Sequence, residues 1–505
     1  MKKGKFRPIG PVSYAFLLIA TMVLNGSWSY AGSNDIKNNR LPDWLAGALS
    51  HARKFPANQS SVTTGQPTPA VIPAYQETND DSGALATFRP SGSIRTSGNP
   101  FFQNLGSNGR TCFTCHQPQE GWTVSPSGVQ ARFLASGGMD PIFRPIDGAT
   151  CPTDDVSTPG AMARAYSLLL NKGLIRVFVG LPANPQFQIT SVDDPYGCNT
   201  NPATGLTSPT TGVVSVYRRP LPSTNLGFLS TIMWDGREPS LSSQAIDATL
   251  IHAQGGAAPN AAQQAAIVSF ESGLYTAQTR DLNAGQLIAD GADGGPRELS
   301  GQQFFIGIND PLGLNPTGAP FNPDAFTIYA AWESLSGGGQ QQLDRESVGR
   351  GEKLFNEKLI NIIGVRGLND ATGQATIAGT CTTCHDSPNV GDHSVKAPLD
   401  IGVTDDPAMP RTADMPLFTL QCTQGPLTGR TFMTTDPGRA LITGKCADIA
   451  KVKGPILRGL SGRAPYFQAG EAATLEEAVD FYERRFGVGF TAQERTDLVN
   501  FLKTL

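Results

Sequence analysis

Cys112-Phe113-Thr114-Cys115-His116 and Cys381-Thr382-Thr383-Cys384-His385 both read C-x-x-C-H. This is the attachment signature of a c-type haem. The chemistry sets the spacing: two thiols three positions apart on one helical turn reach the two vinyl groups of one porphyrin, and the adjacent imidazole ligates the iron. The pattern therefore predicts two covalently bound c-type haems, attached through Cys112, Cys115, Cys381 and Cys384, with His116 and His385 as iron ligands. Two C-x-x-C pairs also suit a zinc ribbon, but such pairs lie some 15–20 residues apart, whereas here hundreds intervene. A thioredoxin-like redox site needs one C-x-x-C near a strand–helix–strand pattern, and neither motif has a run of β-branched residues leading into it.

Working outward, 505 residues are too many for one small core and suit two or three domains. With 56 Gly, 38 Pro and only 16% charged residues, the chain reads as ordered loops between short helices. Lys2, Lys3, Lys5 and Arg7 precede an apolar run from Val12 to Leu24, and Ser29-Tyr30-Ala31 offers a cleavage site, so residues 1–31 read as a secretory signal and the protein as periplasmic. Elsewhere no apolar stretch approaches the roughly 18 residues of a membrane span. Cleavage takes four basic and no acidic residues from the 39 and 43 of the whole chain, leaving a net charge near −8. Nucleic acid is excluded as a partner of so acidic a chain. In an oxidising compartment the four remaining cysteines are expected to pair locally, Cys151 with Cys198 and Cys422 with Cys446.

Residues 32–95 are polar and read as an extension with little core of its own; His51 there is a surface histidine. Strands are expected at Leu174 to Val179 and Val213 to Tyr217, and a helix-like run at Leu241 to Ala253. Thr474 with Glu477, and Thr491 with Glu494, have capping-box spacing and mark two helix starts. Leu498, Phe501, Leu502 and Leu505 then form an apolar stripe.

Several stretches carry a resemblance. Phe101-Phe102-Gln103-Asn104-Leu105-Gly106 leads into the first motif, Trp234-Asp235-Gly236-Arg237 precedes a helix, and Val348-Gly349-Arg350-Gly351 opens a helix after the Gly337-Gly338-Gly339 linker. Gly454-Pro455-Ile456-Leu457-Arg458-Gly459-Leu460 and Ala464-Pro465-Tyr466-Phe467 follow near the end. Together they resemble the bacterial di-haem cytochrome c peroxidases, discontinuously from about residue 96 onward. The resemblance implies a mainly α fold of two cytochrome c-like haem domains, 96–340 and 341–505, with loop-rich insertions and a few short strands. It further implies hydrogen peroxide as substrate at the first haem, a small redox donor such as a soluble cytochrome or cupredoxin, and one calcium ion.

By the same resemblance Trp234 relays electrons between the haems, and Gln254 occupies the position of the family's proton-shuttling glutamate. An amide orients peroxide but exchanges its proton poorly, so His252 is the substitute acid–base group. No histidine lies between His116 and His252 to close the first haem. That haem is expected to be open, or closed by an unusual ligand such as Met139; Met162, Met233, Met409, Met415 and Met433 are the other thioethers. Tyr482 stands where the family ligates the second iron with methionine, as in the related di-haem enzyme that matures the tryptophan-derived cofactor of methylamine dehydrogenase. Met415 is its rival, Leu475, Ala478, Val479, Tyr482 and Phe486 also form a plain core stripe, and His393 is expected to bond a propionate or the backbone. Two other functions fit the motifs: the same fold oxidising a protein or organic compound, and a plain electron-transfer cytochrome.

Overall fold

The computed structural model describes residues 67–199, 213–405 and 414–505, all within the unit Pro56–Leu505. The signal segment, His51 and Met409 lie outside the described residues. Among the described residues short helices alternate with long connections and thirteen strands in five small sheets, a loop-rich mixed fold with more strand than the sequence suggests. The two expected strands form as Ile175–Gly180 and Val213–Arg218 and pair antiparallel.

Part of the stretch read as an extension is instead a core element. Tyr75–Asp80 and Gly83–Phe88 form a hairpin, and the second strand pairs with Tyr275–Asp281 in a four-stranded sheet. Ala84, Leu85 and Ala86 are fully buried in it. Gly83 is required at the hairpin: its φ is +151°, and a Cβ there would sit 2.0 Å from the Arg280 carbonyl oxygen.

The C-terminal half is built on the helices Gln340–Glu357, Leu475–Phe486 and Ala492–Lys503. Thr474 and Thr491 cap the last two, each accepting from the amide of the glutamate three positions on. Gly351 allows the first helix to cross the third closely, since a Cβ would lie 2.1 Å from the Asp497 carbonyl oxygen. Asp497 then locks the crossing by accepting from Ser347 at 2.6 Å and Arg350 at 2.8 Å. Phe355, Leu498, Phe501, Leu502 and Leu505 pack in the core so formed, and Cys381 borders it.

Both expected disulfides are present, Cys151–Cys198 and Cys422–Cys446, with Cα separations of 5.4 and 6.0 Å. Cys422 ends a strand, Leu417–Cys422, that lies between Phe187–Asp193 and Thr431–Thr434. One small sheet thus joins segments from both halves of the sequence.

Candidate haem sites

The two motifs fold alike because they share one local sequence, T-C-x-T-C-H. Cys112–Thr114 and Cys381–Thr383 are single 3₁₀ turns, each closed by a threonine pair. The Thr111 amide donates to Thr114 Oγ1 at 2.9 Å, and the Thr380 amide to Thr383 Oγ1 at 3.0 Å. Each histidine then turns the same way: His116 Nδ1 donates to the Trp122 carbonyl at 2.9 Å, and His385 Nδ1 to the Gly391 carbonyl at 2.6 Å, both six residues on. A carbonyl only accepts, so Nδ1 carries the proton and Nε2 keeps its lone pair for iron. Burial pulls both imidazoles down to about 4, which keeps them neutral at pH 7, the ligating form.

Trp122 was not legible as a site residue, yet it anchors the first histidine. Its indole donates to Thr87 Oγ1 of the N-terminal hairpin at 2.9 Å and packs against Phe101, Phe113 and Phe270. At the second motif burial pushes the Cys381 and Cys384 thiols up to about 12, far from the thiolate that zinc or disulfide exchange requires. Among the described residues no group of three or more His, Cys, Asp or Glu is arranged to hold a metal ion.

Cys112, Cys115 and His116 open on a cavity of about 260 Å³. Trp234 and His252 line it, and Lys453, Arg463 and Phe467 close it from the C-terminal part of the chain. The donors on this wall test whether a haem fits. Arg463 is buried, its Nε and Nη2 have no partner, and burial lowers it to about 9. Its Nη1 donates to the Arg458 carbonyl, but a buried guanidinium with no carboxylate partner among the described residues calls for an anion, and a porphyrin propionate supplies one. The residues present therefore fit a haem attached at Cys112 and Cys115.

Trp234 is 8% exposed. Its indole donates to the Arg219 carbonyl and its own carbonyl accepts from the Lys453 amide, both at 2.8 Å. The next residue, Gly454, abuts the second motif: a Cβ there would lie 3.4 Å from His393 and 4.0 Å from the Cys384 carbonyl oxygen. Trp234 thus connects the first cavity to the second motif through two residues of backbone. The rest of its tetrapeptide is an anchor. Asp235 is fully buried and accepts from Arg218 at 2.5 Å and Arg237 at 3.0 Å, while Arg218 also bonds Asp436 at 2.7 and 2.9 Å.

His252 ends a π-turn, Ala248–His252, that extends the helix Leu241–Asp247. Its Nδ1 meets Asp147 Oδ2 at 2.6 Å, and Arg110 holds the other Asp147 oxygen at 2.5 Å. Arg110 is itself fixed by the carbonyls of Pro141 and Ile142. Burial pushes the Asp147 carboxyl up, but Arg110 and His252 outweigh it and bring it down to about 2. A carboxylate on Nδ1 makes that nitrogen the donor, leaving Nε2 as a base.

Gln254 is not brought to this cavity. It is exposed, with φ +53°, and its amide oxygen accepts from Asn108 at 3.1 Å, so its placement gives no support to a role at peroxide. Met139 is 53% exposed and does not line the cavity. Met415 is buried among Leu168, Leu174, Tyr217 and Ala469. His393 is buried with Nδ1 3.4 Å from Asp386 Oδ2. Tyr482, in contrast, faces the second motif. Leu475, Ala478 and Val479 on its helix are buried, while the Tyr482 phenol is pushed up by burial and further by the Cys384 and Cys381 thiols. No hydrogen bond holds its hydroxyl among the described residues.

No family model matches the chain. Over 136 residues it is 31% identical to cytochrome-c peroxidase IdrP2 of Denitromonas iodatirespirans, which is 25% of this chain and 36% of that protein. Over 99 residues it is 37% identical to the cytochrome c551 peroxidase of Nitrosomonas europaea, 17% of this chain and 30% of the relative. Over these stretches the chain is similar to curated cytochrome-c peroxidases. It spans about a third of the length of the curated peroxidases it matches. A solved structure titled as a MauG-like protein associated with microbial copper homeostasis is similar at 19% identity and a TM-score of 0.32, over 59% of this chain and 75% of that one. Among the described residues no helix is long and apolar enough to cross a membrane.

Proposed function

We propose that this chain is an exported di-haem c-type oxidoreductase that reduces hydrogen peroxide in the first-haem cavity with electrons delivered through the second haem. The observation that carries this reading is the convergence on one cavity of His116, with its Nε2 lone pair available, Trp234 and the His252–Asp147 pair. When bound, haem supplies an iron for peroxide redox chemistry. The protein's own parts do the rest. His252 Nε2 takes and returns the peroxide proton, with its orientation set by Asp147. Trp234, hydrogen-bonded to the Lys453 backbone, is the electron bridge toward the second motif. A two-domain division at 340, cleavage near Ala31, periplasmic location, a small cytochrome or cupredoxin as donor and one calcium ion belong to the same proposal.

Stopped-flow absorption of the holoprotein with peroxide tests it. A spectral change at the first haem on mixing is the expected result, and no response at either haem leaves the electron-transfer cytochrome as the better reading. The position of Tyr482 favours a second reading, in which the same fold uses peroxide or oxygen to oxidise a protein or organic compound.

Tyr482 also yields its own prediction. In Tyr482→Phe only the oxygen is lost, so a phenol on the second iron gives an open or rearranged site and a changed haem spectrum. In Tyr482→Met a thioether raises the reduction potential, because it favours ferrous iron. An unchanged spectrum in Tyr482→Phe, together with loss of the low-spin signal in Met415→Ala, moves the ligand to Met415.

A further inference from the structure

Peroxide reduction consumes two electrons and two protons per peroxide and releases two waters, and the His252–Asp147 pair accounts for one proton-handling group. A second titratable side chain lines the same cavity from a different element. Glu271 lies in the last turn of the helix Ala261–Ser272, whose Ile267 and Phe270 pack with Phe101, Phe102, Phe113 and Trp122 around the first motif. It is 5% exposed, forms part of the cavity wall, and its Oε2 has no hydrogen-bond partner. Among the described residues no arginine or lysine pairs with it; the titratable group facing it there is Cys112, whose sulfur becomes an uncharged thioether once haem is attached.

Two physical arguments make this carboxyl an acid rather than an anion. A buried carboxylate without a donor is strongly disfavoured against its neutral form. A negative charge in the last turn of a helix also opposes the helix dipole. Burial accordingly pushes Glu271 up to about 8. A leucine at this position would satisfy the surrounding Ile267 and Phe270, so packing gives no reason for a carboxyl here.

We propose that Glu271 is the second proton donor of the first-haem cavity, giving its O–H proton to a peroxide oxygen there while His252 handles the other. In the balanced step the O–O bond breaks and one-electron donor proteins, acting through the second haem, supply two electrons. His252 returns the proton it took from peroxide, Glu271 gives its own, solvent supplies the second net proton, two waters leave, and solvent reprotonates Glu271. The assignment rests on the peroxidase reading of the cavity.

Infrared and stopped-flow spectroscopy of the holoprotein and Glu271→Gln test it together, with Glu271→Asp as a second variant that keeps the acid. The wild type is expected to show the C=O stretch of a protonated carboxyl that Glu271→Gln lacks and that shifts on peroxide addition. The peroxide-driven change at the first haem is expected to slow by about 10²-fold or more in Glu271→Gln, the lower end for losing a general acid, and by less in Glu271→Asp. A wild type without the carboxyl band, or a Glu271→Gln protein that keeps it, overturns the assignment. So does an unaltered peroxide rate in Glu271→Gln, which leaves the peroxidase reading standing. If the wild-type haems ignore peroxide altogether, the peroxidase reading itself fails and this role falls with it.

Discussion

Replacing Arg218 by alanine is expected to remove about 3–5 kcal/mol of folding free energy, the usual effect of breaking a buried ion cluster from one side. Arg218 is 1% exposed and bridges Asp235 at 0% and Asp436 at 2%. Without it, two buried carboxylates remain. Asp235 keeps only the partly exposed Arg237, and Asp436 keeps the Gly438 amide at 2.8 Å. The damage reaches the candidate site, because Asp235 follows Trp234 directly and Arg439 Nη1 donates to the Asp235 carbonyl at 3.0 Å. Urea unfolding followed by haem absorbance measures the loss. Arg237→Ala is the matching control, expected to cost about 1 kcal/mol or less because the Arg237 side chain, among the described residues, hydrogen-bonds Asp235 and remains in partial contact with solvent. If the two variants unfold alike, the triad is not what fixes the Trp234 turn.

What was legible in the sequence is what local chemistry determines. The T-C-x-T-C-H segments fold into twin turns because the capping threonines and the ligand sit within six residues, and the Thr474 and Thr491 helix starts depend on partners three positions away. The disulfides followed from compartment and proximity. The hairpin at 75–88 was hidden because its polar, Thr- and Asn-containing first strand, YQETND, looks like a loop, and the partner that buries GALATF comes almost two hundred residues later. Arg110, Asp147 and Glu271 were illegible for the same reason: no spacing rule links a side chain before the first motif to a loop and a distant helix. Gln254 was placed by the resemblance and not by spacing. The run from Leu241 was read as a regular helix, but the Ala253 amide bonds the Ala248 carbonyl five residues back and the Gly255 amide bonds Thr249 six back. Each extra residue in a turn rotates the following side chains by about 100°, so the residues after Ala248 leave the register of an ideal helix. The π-turn brings His252 inward and leaves Gln254 at the surface.

Asp147→Asn carries the largest expected effect on the chemistry. In the wild type a carboxylate can only accept, so the His252 Nδ1 must be the protonated nitrogen and Nε2 the base. Asparagine can instead turn its NH₂ toward Nδ1, which favours the opposite tautomer and presents an N–H where the base is needed. Arg110 reinforces that rotamer, since the amide oxygen is the end its guanidinium prefers. The peroxide-driven spectral change is therefore expected to slow by about 10²–10⁴-fold in Asp147→Asn, and by a similar factor in His252→Ala, because both remove the same base. Acid stability separates positioning from bulk packing. The folded-state Asp147 carboxyl lies below its ordinary 3.8, at about 2, so the stability it contributes is fully present above pH 4 and lost as pH falls toward 2. In Asp147→Asn that part of the acid transition should disappear while the proportion of haem attached stays the same. A variant that reacts with peroxide at the wild-type rate, yet has lost this acid-limb dependence, reduces Asp147 to a structural partner of Arg110 and removes His252 from the proton path.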